Sequence, residues 1–248
     1  MDGDKIWADD TGGDLPTLVL LHPGVGDSRI WEPILPELAT HHRVIRFDSR
    51  GYGRSPAPTT DFTLLGDLVA VLDHFGIDRT PIAGSSQGGG TALALAVTDP
   101  ARVSALVLLC PGIPGYPYPE EPEVDADFQR AANEGVDAVA AVGARLWAAA
   151  GSRPEVTEQL RSAARAWMSI GENQRPDPTV FDRLGEIAVP TSILVGDLDH
   201  PPLIESNLRA ADRIAGCELV RVPGVDHMPT LRVPDRVLQL ITGTLARV

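Results

Sequence analysis

The segment Gly84-Ser85-Ser86-Gln87-Gly88 places a serine in a G-x-S-x-G turn, between a short apolar run and an alanine-rich, helix-forming stretch. This context suits nucleophilic catalysis. The chain must reverse sharply there, which forces the serine into strained backbone geometry. Bulky residues at Gly84 or Gly88 would clash. The serine oxygen then stands at a helix N-terminus, where negative charge is favoured. The frame selects Ser86, because taking Ser85 instead would put Ala83 and Gln87 at the glycine positions. The bland alternative is a Gly/Ser helix start without chemistry, and the strand–turn–helix context weighs against it.

Such a serine needs a base. Six histidines are available: His22, His41, His42, His74, His200 and His227. His227 closes Gly224-Val225-Asp226-His227, just after the apolar run Glu218–Val222. Catalytic groups of open α/β sheets lie beyond the C-terminal ends of strands, so the placement fits. His41 and His42 precede a strand, at the wrong end. His74 sits near a helix C-terminus, where a cation is favourable. His22 is expected to prop the loop that follows it. His200, beside Asp199, is the competitor.

The base needs a carboxylate to hold its tautomer and stabilise its cation. Asp197 and Asp199 both follow the apolar run Thr191–Val195. Asp199 is preferred, since it lies further into the loop and can reach across to a neighbouring one. Asp197 is expected to bond local backbone in a turn. Asp226 adjoins His227, and adjacent side chains diverge.

Composition narrows the alternatives. With 248 residues, 43% of them hydrophobic, the chain suits one α/β domain or two small ones. A net charge of −13 disfavours nucleic acid and anionic membrane as partners. Lys5 is the single lysine, which excludes a core Schiff-base lysine and a phosphate-binding loop lysine. Cys110 and Cys217 lie far apart in apolar surroundings and read as free thiols. No apolar run reaches the ~18 residues of a membrane span. Residues 1–10 are acidic and polar, unlike a signal peptide, so a cytoplasmic protein is expected. The Asp197/Asp199/His200 group lacks a second imidazole or thiol at useful spacing, so neither metal nor cofactor is expected.

Positioning these residues requires a framework. Apolar runs at Thr17–Leu21, Val44–Phe47, Pro81–Ala83 and Ala105–Leu109 predict strands. Helices are predicted at Arg29–Leu38 with Ser28 as cap, at Leu64–Phe75 after Asp61, and at Gln87–Val97. Alternation of this kind predicts an α/β fold, a mostly parallel sheet with helices on both faces. It breaks at the Pro/Gly-rich stretch from Pro111 to Pro122. Two helical stretches follow, Phe128–Ala150 and Pro154–Ile170, with no strand between them. Strands resume at Thr191–Val195 and Glu218–Val222.

The order Ser86, Asp199, His227 resembles that of the α/β-hydrolase family. So do Leu20-Leu21-His22-Pro23-Gly24, the run from Phe47 to Ser55 with its D-x-R-G-x-G-x-S pattern, Gly84–Gly89, Gly196-Asp197-Leu198-Asp199 and Gly224-x-x-His227. The resemblance implies an α/β-hydrolase core at 1–113 and 180–248 with an all-helical cap at 114–179. It implies an oxyanion hole from the N–H groups of Gln87 and Gly24. Pro23 stands where the family commonly has glycine, which leaves Val25 as the alternative donor. It implies a serine hydrolase for a carboxylic ester, thioester or lactone, working through an acyl-enzyme on a small acyl substrate. The same machinery serves carbon–carbon hydrolysis, perhydrolysis or lyase chemistry in relatives, and a retired hydrolase would serve as a ligand-binding protein. A serine nucleophile argues against the dehalogenase and epoxide hydrolase branches. Val25, Trp147, Trp167 and Met168 are the expected pocket-lining residues, with packing of cap against core as the alternative role.

Overall fold

The computed structural model describes residues 5–248. Residues 1–4, and with them part of the stretch read as lacking a signal peptide, lie outside the described residues. Six strands run parallel: β2 (Thr17–Leu21), β3 (Arg43–Asp48), β4 (Thr80–Ser85), β5 (Val103–Leu109), β6 (Thr191–Gly196) and β7 (Glu218–Val222). A short strand, β1 (Trp7–Asp10), pairs antiparallel with β3. The sheet order is β1-β3-β2-β4-β5-β6-β7.

A parallel sheet is covered on both faces, so its central strands are apolar throughout. Every residue of β5 is buried. Alternate side chains serve opposite faces. Val19, Leu21, Leu106 and Leu108 pack under α2 (Leu64–His74), α3 (Gln87–Thr98) and α7 (Pro201–Arg213). Leu18, Leu20, Val107 and Leu109 pack under α1 (Leu35–Leu38) and α9 (Pro234–Leu245).

Between β5 and β6 the chain forms α4 (Pro122–Glu134), α5 (Val136–Trp147) and α6 (Pro154–Ile170). These helices share a small core of Val139, Val142, Val156 and Leu160, which also takes in Val25 and Met228 from the loops above the sheet. A one-turn helix, α8 (Pro229–Arg232), precedes α9.

Several local expectations change. β1 is not predicted from the sequence. It is four residues long and half-buried, and it exists through pairing with β3 and the ion pairs Asp10–Arg43 and Asp9–Arg46. The stretch Phe128–Ala150 is not one helix. It breaks at Gly135, whose φ of 106° favours glycine, and the preceding helix begins six residues early, at Pro122. The region Arg29–Leu38 is a 3-10 turn at Ser28–Trp31 followed by α1, and Asp27 caps it by accepting from the Arg29 N–H. Thr63, not Asp61, caps α2, accepting from the Gly66 N–H at 2.9 Å. Asp61 pairs with Arg175 instead. Both cysteines are free. Among the described residues no helix is long and apolar enough to cross a membrane.

Candidate active site

Three parallel strands deliver the three sequence-selected residues to one end of the sheet. Ser86 stands between β4 and α3, Asp199 in the loop after β6, and His227 in the loop after β7. The Ser86 backbone has φ 49° and ψ −114°, the strained elbow expected of it. The reason for the flanking glycines is steric. A Cβ at Gly84 would lie 2.5 Å from the Gly88 carbonyl oxygen, and one at Gly88 would lie 2.6 Å from both Cβ and carbonyl oxygen of Leu21. The turn is held by the Ser86 N–H on Leu109 O at 2.8 Å and by the Gly112 N–H on Ser86 O at 2.9 Å.

The Asp199 and His227 loops are drawn together at Gly196, where a Cβ would lie 1.9 Å from the Val225 carbonyl oxygen. His227 Nε2 then sits 2.6 Å from Ser86 Oγ, and His227 Nδ1 sits 2.9 Å from Asp199 Oδ2. Asp199 and His227 are both buried. The other Asp199 oxygen accepts the His200 N–H at 2.7 Å. Burial alone would raise the Asp199 carboxyl, yet the His227 charge and the hydrogen bonds from His227, His200 and Cys110 hold it below its usual value. A carboxylate kept ionised beside an imidazole can fix the ring's tautomer and stabilise its cation.

Cys110, Asp199 and His227 also hold ligand-type atoms within 4.8 Å of one another. Both His227 nitrogens are occupied by Ser86 and Asp199, and burial with the Asp199 charge pushes the Cys110 thiol well up. A metal there would have to break the Ser86–His227–Asp199 chain.

The other histidines and acids have separate duties. His22 props its neighbourhood as expected: Nδ1 donates to Pro23 O at 2.8 Å, while Nε2 accepts the Ser49 N–H at 2.9 Å. Asp197 is exposed and accepts the Gly224 N–H at 2.6 Å. Asp226 turns away from the serine to a buried ion pair with Arg232 and accepts the Ala150 N–H, tying the turn after α5 to the His227 loop.

A family model described as alpha/beta hydrolase fold matches residues 16–136. This chain has the α/β-hydrolase fold. Across 98% of both chains it is similar, at TM-score 0.81 and 29% identity, to a structure described as Est816, an N-acyl homoserine lactone degrading enzyme. It is 28% identical to a Klebsiella pneumoniae 2-hydroxy-6-oxononadienedioate/2-hydroxy-6-oxononatrienedioate hydrolase over 91% of that protein and 98% of this chain. It is 39% identical to a 2-hydroxymuconate semialdehyde hydrolase of a Pseudomonas species. That last match covers 47% of this chain and only 43% of the relative's length.

Gly24 and Gln87, the two residues expected to supply the α/β-hydrolase oxyanion hole, are neighbours here. A Cβ at Gly24 would lie 3.1 Å from Gln87 Oε1 and 3.6 Å from Gln87 Cβ. The loop carrying Gly24 and Val25 is held from α6, with Trp167 Nε1 donating to Gly24 O at 3.0 Å. Gln159 accepts the Asp27 N–H at 2.9 Å, and Ser162 donates to Asp27 Oδ2 at 2.6 Å. Tyr52 is buried beneath this junction and packs against Trp167, and burial pushes its phenol up to about 12.

The four expected lining residues separate. Trp147 lies tilted beside the His227 ring, 6.4 Å between centroids, and lines a cavity of about 260 Å³ with Tyr118, Glu121, Leu146, His200 and Leu203. Trp167 grips the Gly24 loop. Val25 is buried in the core of the helical segment. Met168 is 46% exposed on α6. A second cavity of about 340 Å³ holds Gln87, Thr91 and Asp177, and Gly112 and Tyr118 line both. Sequence reasoning missed Tyr118, Glu121 and Asp177. They lie in Pro-rich connections, where no periodicity reports which way a side chain faces.

Proposed function

We propose that this α/β-hydrolase cleaves a carboxylic ester, thioester or lactone, with Ser86 as nucleophile, His227 as base and Asp199 as orienting acid. The observation that carries the reading is the chain of contacts from Ser86 Oγ to His227 Nε2 at 2.6 Å and from His227 Nδ1 to Asp199 Oδ2 at 2.9 Å. Ser86 Oγ attacks the carbonyl as His227 takes its proton. The oxyanion is held by the Gln87 N–H and by the Gly24 or Val25 N–H, each donor contributing roughly 3–4 kcal/mol. His227 then protonates the leaving group. In the second half it activates water, which releases the acid and frees Ser86. Every step runs on side chains and backbone amides of this chain. Residues 114–179 act as a cap, and the cavity under Trp147 receives a small acyl substrate.

Similarity to a protein named for hydrolysing a dienedioate supports carbon–carbon hydrolysis by the same triad as the second reading. Turnover of nitrophenyl esters by wild type, Ser86→Ala and His227→Ala tests the first. Each substitution is expected to lower kcat by roughly 10⁴-fold or more with circular dichroism unchanged. A folded Ser86→Ala protein working at the wild-type rate ends the proposal.

A further inference from the structure

The walls of the cleft beside Ser86 carry a charge pattern that the triad does not use. The two cavities share Gly112 and Tyr118 in their walls, and Gly112 is bonded through its N–H to the Ser86 carbonyl. Gln87, next to Ser86, lines the second, and Trp147, beside His227, lines the first, so on the ester-hydrolase reading these two cavities are the space nearest an acyl chain held at Ser86. The first is mostly apolar, walled by Leu146, Trp147 and Leu203; its ionisable groups are Glu121, His200 and the Tyr118 phenol, which burial pushes up. His200 Nε2 lies 3.1 Å from Glu121 Oε1, so this imidazole already has an acid against it. The second contains Asp177, which accepts from the Leu65 N–H and from Thr91 Oγ1, both at 2.9 Å. Burial pushes the Asp177 carboxyl up, as expected of an acid with no cation beside it among its partners.

Among the described residues no arginine or lysine lines either cavity, and four arginines elsewhere are matched to acids of their own. Arg145 pairs with Asp127, Arg175 with Asp61, Arg50 with Asp67 and Arg232 with Asp226. The whole chain carries −13. A cleft lined by one sign of charge between low-dielectric walls concentrates ligands of the opposite sign and repels its own.

We propose that this cleft selects uncharged or positively charged acyl substrates against carboxylate-bearing ones, through Glu121 in one cavity and Asp177 in the other. The inference rests on the ester-hydrolase reading and adds its substrate class. It separates this chain from its dienedioate-hydrolysing relative, whose named substrate carries two acid groups. It also suits the reaction, since hydrolysis of a neutral ester leaves an acid anion that the same carboxylates drive out.

The test compares nitrophenyl hexanoate, mono-nitrophenyl adipate and the nitrophenyl ester of 6-(trimethylammonio)hexanoic acid, which differ only at the distal end. At pH 8 and low salt, kcat/KM for the adipate ester is expected to fall about tenfold below that of the hexanoate, and the cationic ester to match or exceed the hexanoate. Glu121→Gln is expected to raise the adipate-to-hexanoate ratio about threefold. Glu37→Gln, an exposed control on α1, should leave that ratio alone. An adipate deficit smaller than about threefold, or one that Glu121→Gln does not reduce, overturns the proposal. Absence of Ser86-dependent turnover of the hexanoate would instead break the hydrolase reading. The charge preference is then read from calorimetric titration of Ser86→Ala with methyl hexanoate and monomethyl adipate. Equal affinity for the two overturns it.

Discussion

The indole N–H of Trp167 on α6 donates to the carbonyl oxygen of Gly24 at 3.0 Å. In a trans peptide the C=O and the following N–H point in opposite directions. Aiming the Gly24 carbonyl at α6 thus aims the Val25 N–H the other way. The Pro23 carbonyl is fixed likewise by His22 Nδ1 and the Gly26 N–H, which sets the direction of the Gly24 N–H. Both amides considered for the oxyanion hole are therefore set by hydrogen bonds on their far sides, one of them from the helical segment. Trp167→Phe keeps an aromatic ring against Phe128 and Trp147 and removes the donor. Under the proposed mechanism kcat falls about tenfold while KM changes less than about threefold. A raised KM with kcat unchanged would reduce Trp167 to a packing residue.

The two acids after β6 should differ sharply. Asp199 is buried against His227, and Asp197 is exposed on the Gly224 N–H. Asp199→Asn loses the charge that stabilises the imidazolium and permits the wrong tautomer, so kcat is expected to fall by roughly 10³–10⁴-fold. Asp197→Asn keeps an acceptor for Gly224 and should stay within about threefold. Steady-state kinetics of both variants decide it, and equal losses would reverse the assignment.

Asp27 offers a stability test of how the helical segment is anchored. Burial would raise its carboxyl, but hydrogen bonds from Arg29 and Ser162 and the Arg29 charge outweigh burial and hold it well below the usual range. A folded-state value below the unfolded one stabilises the fold at pH above the unfolded value of about 3.9. That contribution is lost as pH falls from there through the folded value. Asp27→Asn should cost about 2 kcal/mol near pH 7, or about 4–8 °C in Tm. The gap should narrow as pH drops below about 4. Melting curves of both proteins between neutral and acid pH check this, and a gap independent of pH would mean that the Asp27 charge contributes nothing.

What the sequence made legible is what short-range sterics and pattern encode. Gly84 and Gly88 mark the elbow because no Cβ fits there, and the apolar runs of β2 to β6 mark a sheet buried on both faces. The choice of Asp199 over Asp197 also agrees with the contacts to His227, because the deeper loop position has the longer reach. β1 was not legible. Its four half-buried residues carry no period of their own, and it is a strand only because β3 lies beside it. The break at Gly135 was hidden by the alanine-rich stretch after it, which forms helix readily on either side of a turn.

The sequence by itself determined the α/β alternation and the helical segment between strands, and it selected the serine, histidine and acid that the fold brings within hydrogen-bonding distance, because each is written in local spacing and in position after a strand. Tertiary structure alone decided what surrounds them. It set Trp167 against Gly24 across 143 positions, Asp226 against Ala150 across 76, and Glu121 against His200 in one cavity wall. Such pairings depend on how α4 to α6 settle over the ends of the strands. That docking is decided by long-range packing and a few hydrogen bonds between segments far apart in the chain, for which local spacing carries no signal.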